Sequence, residues 1–326
     1  MRGLELAKAY YDFYGKSLIH EKFPEYEERI AVGLVGHGSE CFGFDDTIST
    51  DHDFGPAFCM WLTDEDYQEI GSQLSYEYEM LPKDFGGFTG RVQSTHGGGR
   101  VGVFSISNFY YSLIGIDDVP TRNKDWVWIP ESRLSAATNG EVFRDDLGEF
   151  SRIRNGLLDF YPEDVRIKKI VSRAAAMAQS GQYNYARCMR RMETVAAHMA
   201  ISEFVKNTIS MVFLLNRKYT PFYKWMHKGL YDLDILWETA PLLTSLCEQT
   251  SQKEVWNKDA SDYNPYELNL MDKNVEMIEE ICGMVVEELK RQGISSLSDR
   301  FLENHTQHMM EKISDLDMKQ LQILEG

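Results

Sequence analysis

The pattern of apolar residues changes near residues 150 to 162, and this change constrains the fold more than any other feature. Before it, short apolar runs such as IAVGLVG and FGPAFCMWL alternate with helical spacing and glycine-rich stretches, which predicts strands mixed with helices. After it, apolar residues recur at helical spacing, as in VEMIEEICGMVVEELKRQG, which Gly293 closes. The sequence therefore predicts an α+β domain over residues 1–155 and an all-helical bundle domain over residues 156–326.

Local signals outline the elements of the first domain. Residues 4–30 have helical spacing, and IAVGLVG and FGPAFCMWL each predict a strand. Thr63 is the expected N-cap of a helix with acidic residues in its first turn. The run VGVFSISNFYYSLIG predicts a strand that becomes helical near Ser107. WVWIPESRLSAATNGEVFRDD is interpreted as a further edge segment with a turn at Asn139-Gly140.

The charge balance limits the partners that the chain can bind. Asp and Glu outnumber Lys and Arg by 51 to 34, so the net charge is −17 and nucleic acid is a disfavoured partner. The five cysteines lack CxxC spacing, which suits free thiols in a reducing compartment. The N-terminus lacks the apolar core of a signal peptide, and no run of about 18 apolar residues occurs. We therefore expect a cytoplasmic protein with no membrane partner.

The stretch GHGSECFGFDDTISTDHDFG, residues 36–55, contains the strongest chemical signal. Gly38 and Ser39 follow an apolar strand and offer backbone N–H groups and a hydroxyl to phosphates. Asp51 and Asp53 would project to one side of an extended chain, with Cα atoms roughly 6–7 Å apart. Such paired carboxylates favour Mg²⁺, which also coordinates phosphates. The stretch predicts a metal-nucleotide site, and the alternative is a loop of solvated turn-forming acids.

His52 lies between the two aspartates and would point to the opposite side of the strand. We interpret it as a structural residue or a hydrogen-bond partner of a ligand rather than as a metal ligand.

Strand, Gly38-Ser39 and then Asp51-x-Asp53 before a second strand resembles the signature of the nucleotidyltransferase superfamily, which includes polymerase beta and the aminoglycoside nucleotidyltransferases. GLVGHGSECFGFDDTISTDHDFGPAFCMWL together with LLNRKYTPFYKWMHKGL resembles a bacterial family of that superfamily. The resemblance implies a mixed sheet with helices that holds the metal site, and a helical domain that closes over the nucleotide and acceptor cleft.

The same resemblance implies a reaction. A nucleoside monophosphate, usually from ATP, would be transferred in line to a hydroxyl-type acceptor on a small molecule or protein, and pyrophosphate would leave. Asp51 and Asp53 would be catalytic ligands of Mg²⁺ or Mn²⁺, and Ser39 would hold a phosphate.

The chain departs from the superfamily pattern at one position. A third acid is normally found on a later strand, but RVGVFSIS contains none, and Phe104 stands where a carboxylate is expected. One explanation is that the base comes from elsewhere in the chain, with the candidates Asp84, Asp117, Asp118 and Glu193. A second explanation is catalysis with two carboxylates and weaker metal binding. A third is a nucleotide-binding sensor that does not turn over its ligand.

A basic and aromatic stretch, NRKYTPFYKWMHKG, stands out in this acidic chain. Lys218 and Lys224 are candidates for phosphate contacts, and Tyr223 is a candidate for stacking on the base. The alternative is an ordinary loop whose aromatics pack and whose cations reach solvent. Arg191 and His198 match the loose R-x6-H spacing of helical RNase domains, although a charge network between domains is the favoured interpretation.

Overall fold

The computed structural model describes residues 1–49, 54–91, 99–249, 252–256, 264 and 267–326. The described chain forms two compact units. The first unit comprises Met1–Pro120 and Ile129–Phe160, and the second comprises Thr121–Trp128 and Tyr161–Gly326. Strands and helices occur together in the first unit, so the predicted α+β class is confirmed.

The strands are β1 Ala31–Leu34, β2 Cys59–Leu62, β3 Gly102–Ser105 and β4 Glu141–Arg144. The α-helices, in chain order, are α1 Gly3–Tyr10, α2 Lys16–Lys22, α3 Asp64–Glu79, α4 Ile106–Ile114, α5 Asn123–Trp128, α6 Glu131–Thr138, α7 Glu149–Leu158, α8 Glu163–Met177, α9 Ala186–Arg190, α10 Thr194–Leu215, α11 Tyr223–Met226, α12 Thr239–Glu248, α13 Lys273–Arg291, α14 Glu303–Met310 and α15 Leu316–Gln320. Tyr11–Gly15 and Ala178–Tyr185 are π-helical, and Pro24–Arg29, Glu40–Phe42, Lys228–Asp232 and Lys253–Val255 are 3₁₀-helical.

The four strands form one mixed sheet in the order β3-β2-β1-β4. β1 runs antiparallel to both of its neighbours, β2 and β4, whereas β2 and β3 are parallel. All residues of β1 and β2 are buried, which agrees with their uninterrupted apolar sequences. β4 is partly exposed and forms an edge of the sheet, as its position in the strand order requires.

Helices cover both faces of the sheet. On one face, Val32 and Met60 are paired across β1 and β2 and pack in a core with Tyr10 and Leu74. On the opposite face, the Trp61 ring stacks on Phe150 of α7 at a centroid distance of 3.9 Å. The first unit therefore has three layers, with the sheet between helices.

Two predicted junctions are confirmed in detail. The Thr63 hydroxyl accepts a hydrogen bond from the Asp66 N–H at 3.2 Å, which caps α3. β3 passes directly into α4 at Ser105, whose hydroxyl accepts from the Asn108 N–H at 3.3 Å. Both caps are short-range contacts, so they leave a signal in the local sequence.

The predicted edge segment between Trp126 and Asp146 is only partly right. Its first part is helical, in α5 and α6, and Pro130 is the N-cap of α6. The turn at Asn139-Gly140 is confirmed and leads into β4. The strand predicted at FGPAFCMWL is also shorter than expected, because β2 begins at Cys59.

The described part of the second unit is helical. α8 and α10 contribute many of its buried residues, and the apolar face of α13 is buried at Ile278, Cys282 and Val285. Gly293, at a φ of +67°, follows α13 as predicted. Within the described ranges, the helices are too short or too polar to cross a membrane.

Candidate functional site

One edge of the sheet brings together loops that are far apart in the sequence. The carboxyl end of β1 lies beside the amino end of β2, where Gly33 pairs with Cys59. Cys59 in turn pairs with Gly102, the first residue of β3. The loop that follows β1 and the segments that enter β2 and β3 therefore meet at this edge.

The predicted metal ligands belong to the loop between β1 and β2. Asp51 and Asp53, together with His52, lie outside the described residues, so their positions remain predictions. Ser49 and Phe54, on either side of them, are described, and Phe54 is buried. Among the described residues, no three His, Cys, Asp or Glu side chains are grouped so that they could hold a metal ion.

The segment 36–39, here called the Gly-Ser turn, directly follows β1. Gly36 has a φ of +122° and Gly38 a φ of +142°, which side chains other than hydrogen rarely allow. A Cβ on Gly38 would also lie 2.5 Å from Oε2 of Glu40. The Ser39 hydroxyl makes no hydrogen bond to another described residue.

The Gly-Ser turn is clamped by the turn that precedes β4. The Asn139 side chain accepts from the Gly36 N–H at 2.9 Å and donates to the Gly36 carbonyl at 2.8 Å. Nη2 of Arg154, on α7, donates to the carbonyls of Thr138, Asn139 and Gly140 at 2.8, 3.2 and 3.4 Å. These contacts link α7 to the Gly-Ser turn.

A buried ion pair lies next to Gly38. Nη2 of Arg91 is 2.8 Å from Oε1 of Glu40, and the two side chains are only 8% and 6% exposed. The Arg91 Nε is buried without a described hydrogen-bond partner. Neither residue was singled out from the sequence, although both flank glycine-rich stretches.

Positive charge gathers near the Gly-Ser turn. Burial lowers the pKa of the His37 imidazole, although part of the ring reaches solvent, and repulsion from Arg100 and Arg133 lowers this pKa further. Arg100 lies just before β3, and Arg133 is exposed on α6. In a chain with a net charge of −17, two guanidinium groups beside a neutral imidazole favour an anionic ligand. None of the three was singled out from the sequence.

β3 carries an aromatic residue where the resemblance expects the third carboxylate. Phe104 pairs with Trp61 in the sheet, and its ring is 5.8 Å from the ring of Phe109 on α4. The residue therefore belongs to the aromatic layer that covers this face. A carboxylate at this position would be placed against aromatic rings rather than polar partners.

The candidate bases lie on the surface. Asp84, Asp117, Asp118 and Glu193 are all exposed. Asp118 binds Arg152 through two hydrogen bonds of 2.9 and 3.0 Å, and this contact holds the pKa of its carboxyl below the usual value. Asp84 accepts from the Gly90 N–H at 3.3 Å, and Glu193 precedes α10 in the second unit. No hydrogen bond among the described residues joins these four carboxyls to the Gly-Ser turn.

Two of the three candidate nucleotide contacts of the second unit lie together. Tyr223 and Lys224 lie on α11, and Tyr223 is 74% exposed. The Lys224 ammonium is 5.1 Å from the centre of the Trp225 ring. Lys218 lies apart from α11 and donates to the Asp232 carbonyl at 3.4 Å. The exposed ring and adjacent ammonium can contact a ligand.

Comparison with known proteins gives a match over part of the chain. Residues 126–226 are similar to a family described as a domain of unknown function (DUF4037). This segment contains Arg133, Asn139 and Arg154 of the first unit and the α11 cluster of the second, but not the Gly-Ser turn. No curated protein and no solved structure matches the chain.

Proposed function

We propose that the chain is a metal-dependent nucleotidyltransferase that moves a nucleoside monophosphate, with ATP as the expected donor, to a hydroxyl-type acceptor. The observation that carries the proposal is the convergence at one sheet edge of the Gly-Ser turn, the segment entering β2 and the amino end of β3. This arrangement agrees with the sequence resemblance, which requires Gly38-Ser39 and the Asp51-x-Asp53 segment to act together.

The described residues support triphosphate binding in three ways. The Gly36 N–H is bonded to Asn139, so the donors that we propose for phosphate are the N–H groups of Gly38 and Ser39 and the Ser39 hydroxyl, which has no described partner. Arg100 and Arg133 supply positive charge beside the turn, where their charges act on His37. Guanidinium groups bind phosphate oxygens through charge-assisted hydrogen bonds. We therefore assign the phosphates of the donor to this place.

The proposed reaction forms a bond between the acceptor oxygen and the α-phosphorus and breaks the bond between the α-phosphorus and the bridging oxygen. Pyrophosphate leaves with the electron pair, and the acceptor proton passes to a base or to solvent. Asp51 and Asp53 would hold Mg²⁺ or Mn²⁺, because paired carboxylates are the oxygen ligands that these ions prefer. The ion, when bound, would offset the negative charge of the phosphates.

The main rival is a nucleotide-binding sensor without turnover. The absence of an acid from β3 favours it, because Phe104 stands where the resemblance expects the third carboxylate. Such a protein would use the same phosphate contacts, so the two functions differ in chemistry and not in binding.

Radiolabelled ATP, Mg²⁺ and a panel of hydroxyl acceptors, including aminoglycosides and proteins, test the proposal. We expect labelled acceptor together with pyrophosphate, both abolished by Asp53→Asn. Asp12→Asn is the matched control, because Asp12 forms an exposed ion pair with Lys16. Tight ATP binding without pyrophosphate release under any condition would support the sensor instead.

A second experiment tests whether the helical domain contributes to nucleotide binding, as the sequence predicts. If this domain closes over the nucleotide, Tyr223→Ala and Lys224→Ala should each raise the Kd for ATP by several-fold. Tyr231→Ala is a control, because Tyr231 is also an exposed tyrosine of the second unit. Equal affinities for all of these variants would remove α11 from the proposed site.

A further inference from the structure

The Asn139 side chain replaces a backbone pairing partner of the Gly-Ser turn. The ladder between β1 and β4 ends where Leu34 pairs with Glu141. Beyond it, the Asn139 amide both accepts from and donates to the backbone of Gly36, as a peptide group of a neighbouring strand would. The side chain thus extends the restraint of the sheet into the turn.

Arg154 holds Asn139 in the position that this pairing requires. One guanidinium nitrogen faces three successive carbonyls of the 138–140 turn, and α7 provides a rigid support. The guanidinium group of Arg154 is half-buried, and this burial lowers its pKa. Removing the charged group from water therefore costs free energy. The Gly140 N–H also donates to the Cys41 carbonyl at 2.8 Å, on the far side of the Gly-Ser turn.

We propose that Asn139 and Arg154 are positioning residues that hold the Gly-Ser turn in the conformation that binds the donor triphosphate. The inference rests on the proposed function. Glycine-rich backbone has a large conformational entropy when it is unrestrained. Ordering such a turn around a ligand costs free energy, which would weaken the binding of the ligand. The clamp orders the turn before the ligand arrives, and neither side chain needs to touch the ligand.

The test compares Asn139→Asp with Asn155→Asp by calorimetric titration of the full chain with ATP and Mg²⁺. The carboxylate introduced at position 139 can accept from the Gly36 N–H but cannot donate to the Gly36 carbonyl while ionised. Asn155 is exposed on α7 and receives the same change of charge. We expect the Kd for ATP to rise about tenfold for Asn139→Asp and to stay within twofold for Asn155→Asp.

A purely structural role would give a different result. A variant that only folds less completely lowers the number of binding sites but leaves their Kd unchanged, and this outcome would overturn the inference. Positioning raises the Kd at constant site number. Arg154→Met should act in the same direction, with Arg152→Met as its control on the same helix.

Hydrogen exchange of the ligand-free protein provides a second measurement. The Gly36 amide loses its acceptor in Asn139→Ala, so peptides covering residues 31–41 should exchange faster than in the wild type. Unchanged exchange would overturn the inference even if ATP binding fell. If the wild-type protein binds no ATP at all, the proposed function fails and the inference fails with it, and the wild-type titration alone identifies that case.

Discussion

Arg91→Met should strongly destabilise the first unit, because it leaves the Glu40 carboxylate buried without its cation. The two side chains are 8% and 6% exposed and their charged atoms are 2.8 Å apart. Removal of one partner from such a pair typically costs about 3–5 kcal/mol. For a unit of this size, about 2–4 °C is lost per kcal/mol, so the melting temperature should fall by roughly 6–20 °C.

The double variant Glu40→Met/Arg91→Met provides the decisive comparison. Replacement of both charges by apolar side chains of similar volume is often neutral or stabilising, so most of the loss should be recovered. Arg152→Met is the exposed control, because the Arg152–Asp118 pair is about half exposed and worth at most about 1 kcal/mol.

Urea unfolding followed by circular dichroism, together with calorimetric melting, compares the wild type with Arg91→Met, Glu40→Met, the double variant and Arg152→Met. The reasoning would be refuted if Arg91→Met and Arg152→Met lost equal stability. It would also be refuted if the double variant were as unstable as the sum of its single changes, because the cost would then come from lost packing and not from an isolated charge.

Three further outcomes are expected. Gly140→Ala should cost at least about 2 kcal/mol in urea unfolding, because the residue has a φ of +65° and the new Cβ would overlap the Leu34 carbonyl; a change as small as that of Gly148→Ala, where the space is open, would contradict this. Burial lowers the pKa of Lys168 to about 8 from its ordinary 10.5, so the unfolded chain binds more protons between these values and stability rises with pH there. The unfolding free energy of the wild type minus that of Lys168→Met should therefore rise by about 3 kcal/mol between pH 7.5 and pH 10.5. A difference that stays constant over this range would contradict the prediction. Arg133→Gln should raise the Kd for ATP by about tenfold in calorimetric titration, whereas the paired and exposed Arg152→Gln should leave it unchanged.

The features of the fold that local sequence predicted are those stabilised by neighbouring residues. The Thr63 cap joins residues three positions apart, and the passage from β3 into α4 is capped by Ser105 in the same way. The helices at 123–138 were missed because aromatic and β-branched residues in WVWIP suggested a strand, whereas Trp126 and Val127 are buried in α5. At buried positions such as these, the intrinsic preference of a residue for helix or strand is weaker than the effect of its tertiary contacts.

The residues of the candidate site also fall into those that local sequence identified and those that only long-range contacts reveal. Gly38 and Ser39 could be identified from their place after an apolar strand. The ion pair and the clamp could not, because Glu40 and Arg91 are 51 residues apart and Gly36 and Asn139 are 103 residues apart. The Asn139-Gly140 dipeptide gave a turn signal, but nothing local shows which backbone the amide will bind.

The long separation between Gly36 and Asn139 has a consequence for synthesis on the ribosome. β1 and the Gly-Ser turn leave the ribosome about a hundred residues before their partners in the 138–154 segment. At about 5–20 residues per second, the delay is roughly 5–20 seconds. During that time β1 lacks its β4 neighbour and presents an unpaired strand edge to other chains. The nascent protein should therefore need protection from aggregation until β4 emerges and pairs with β1.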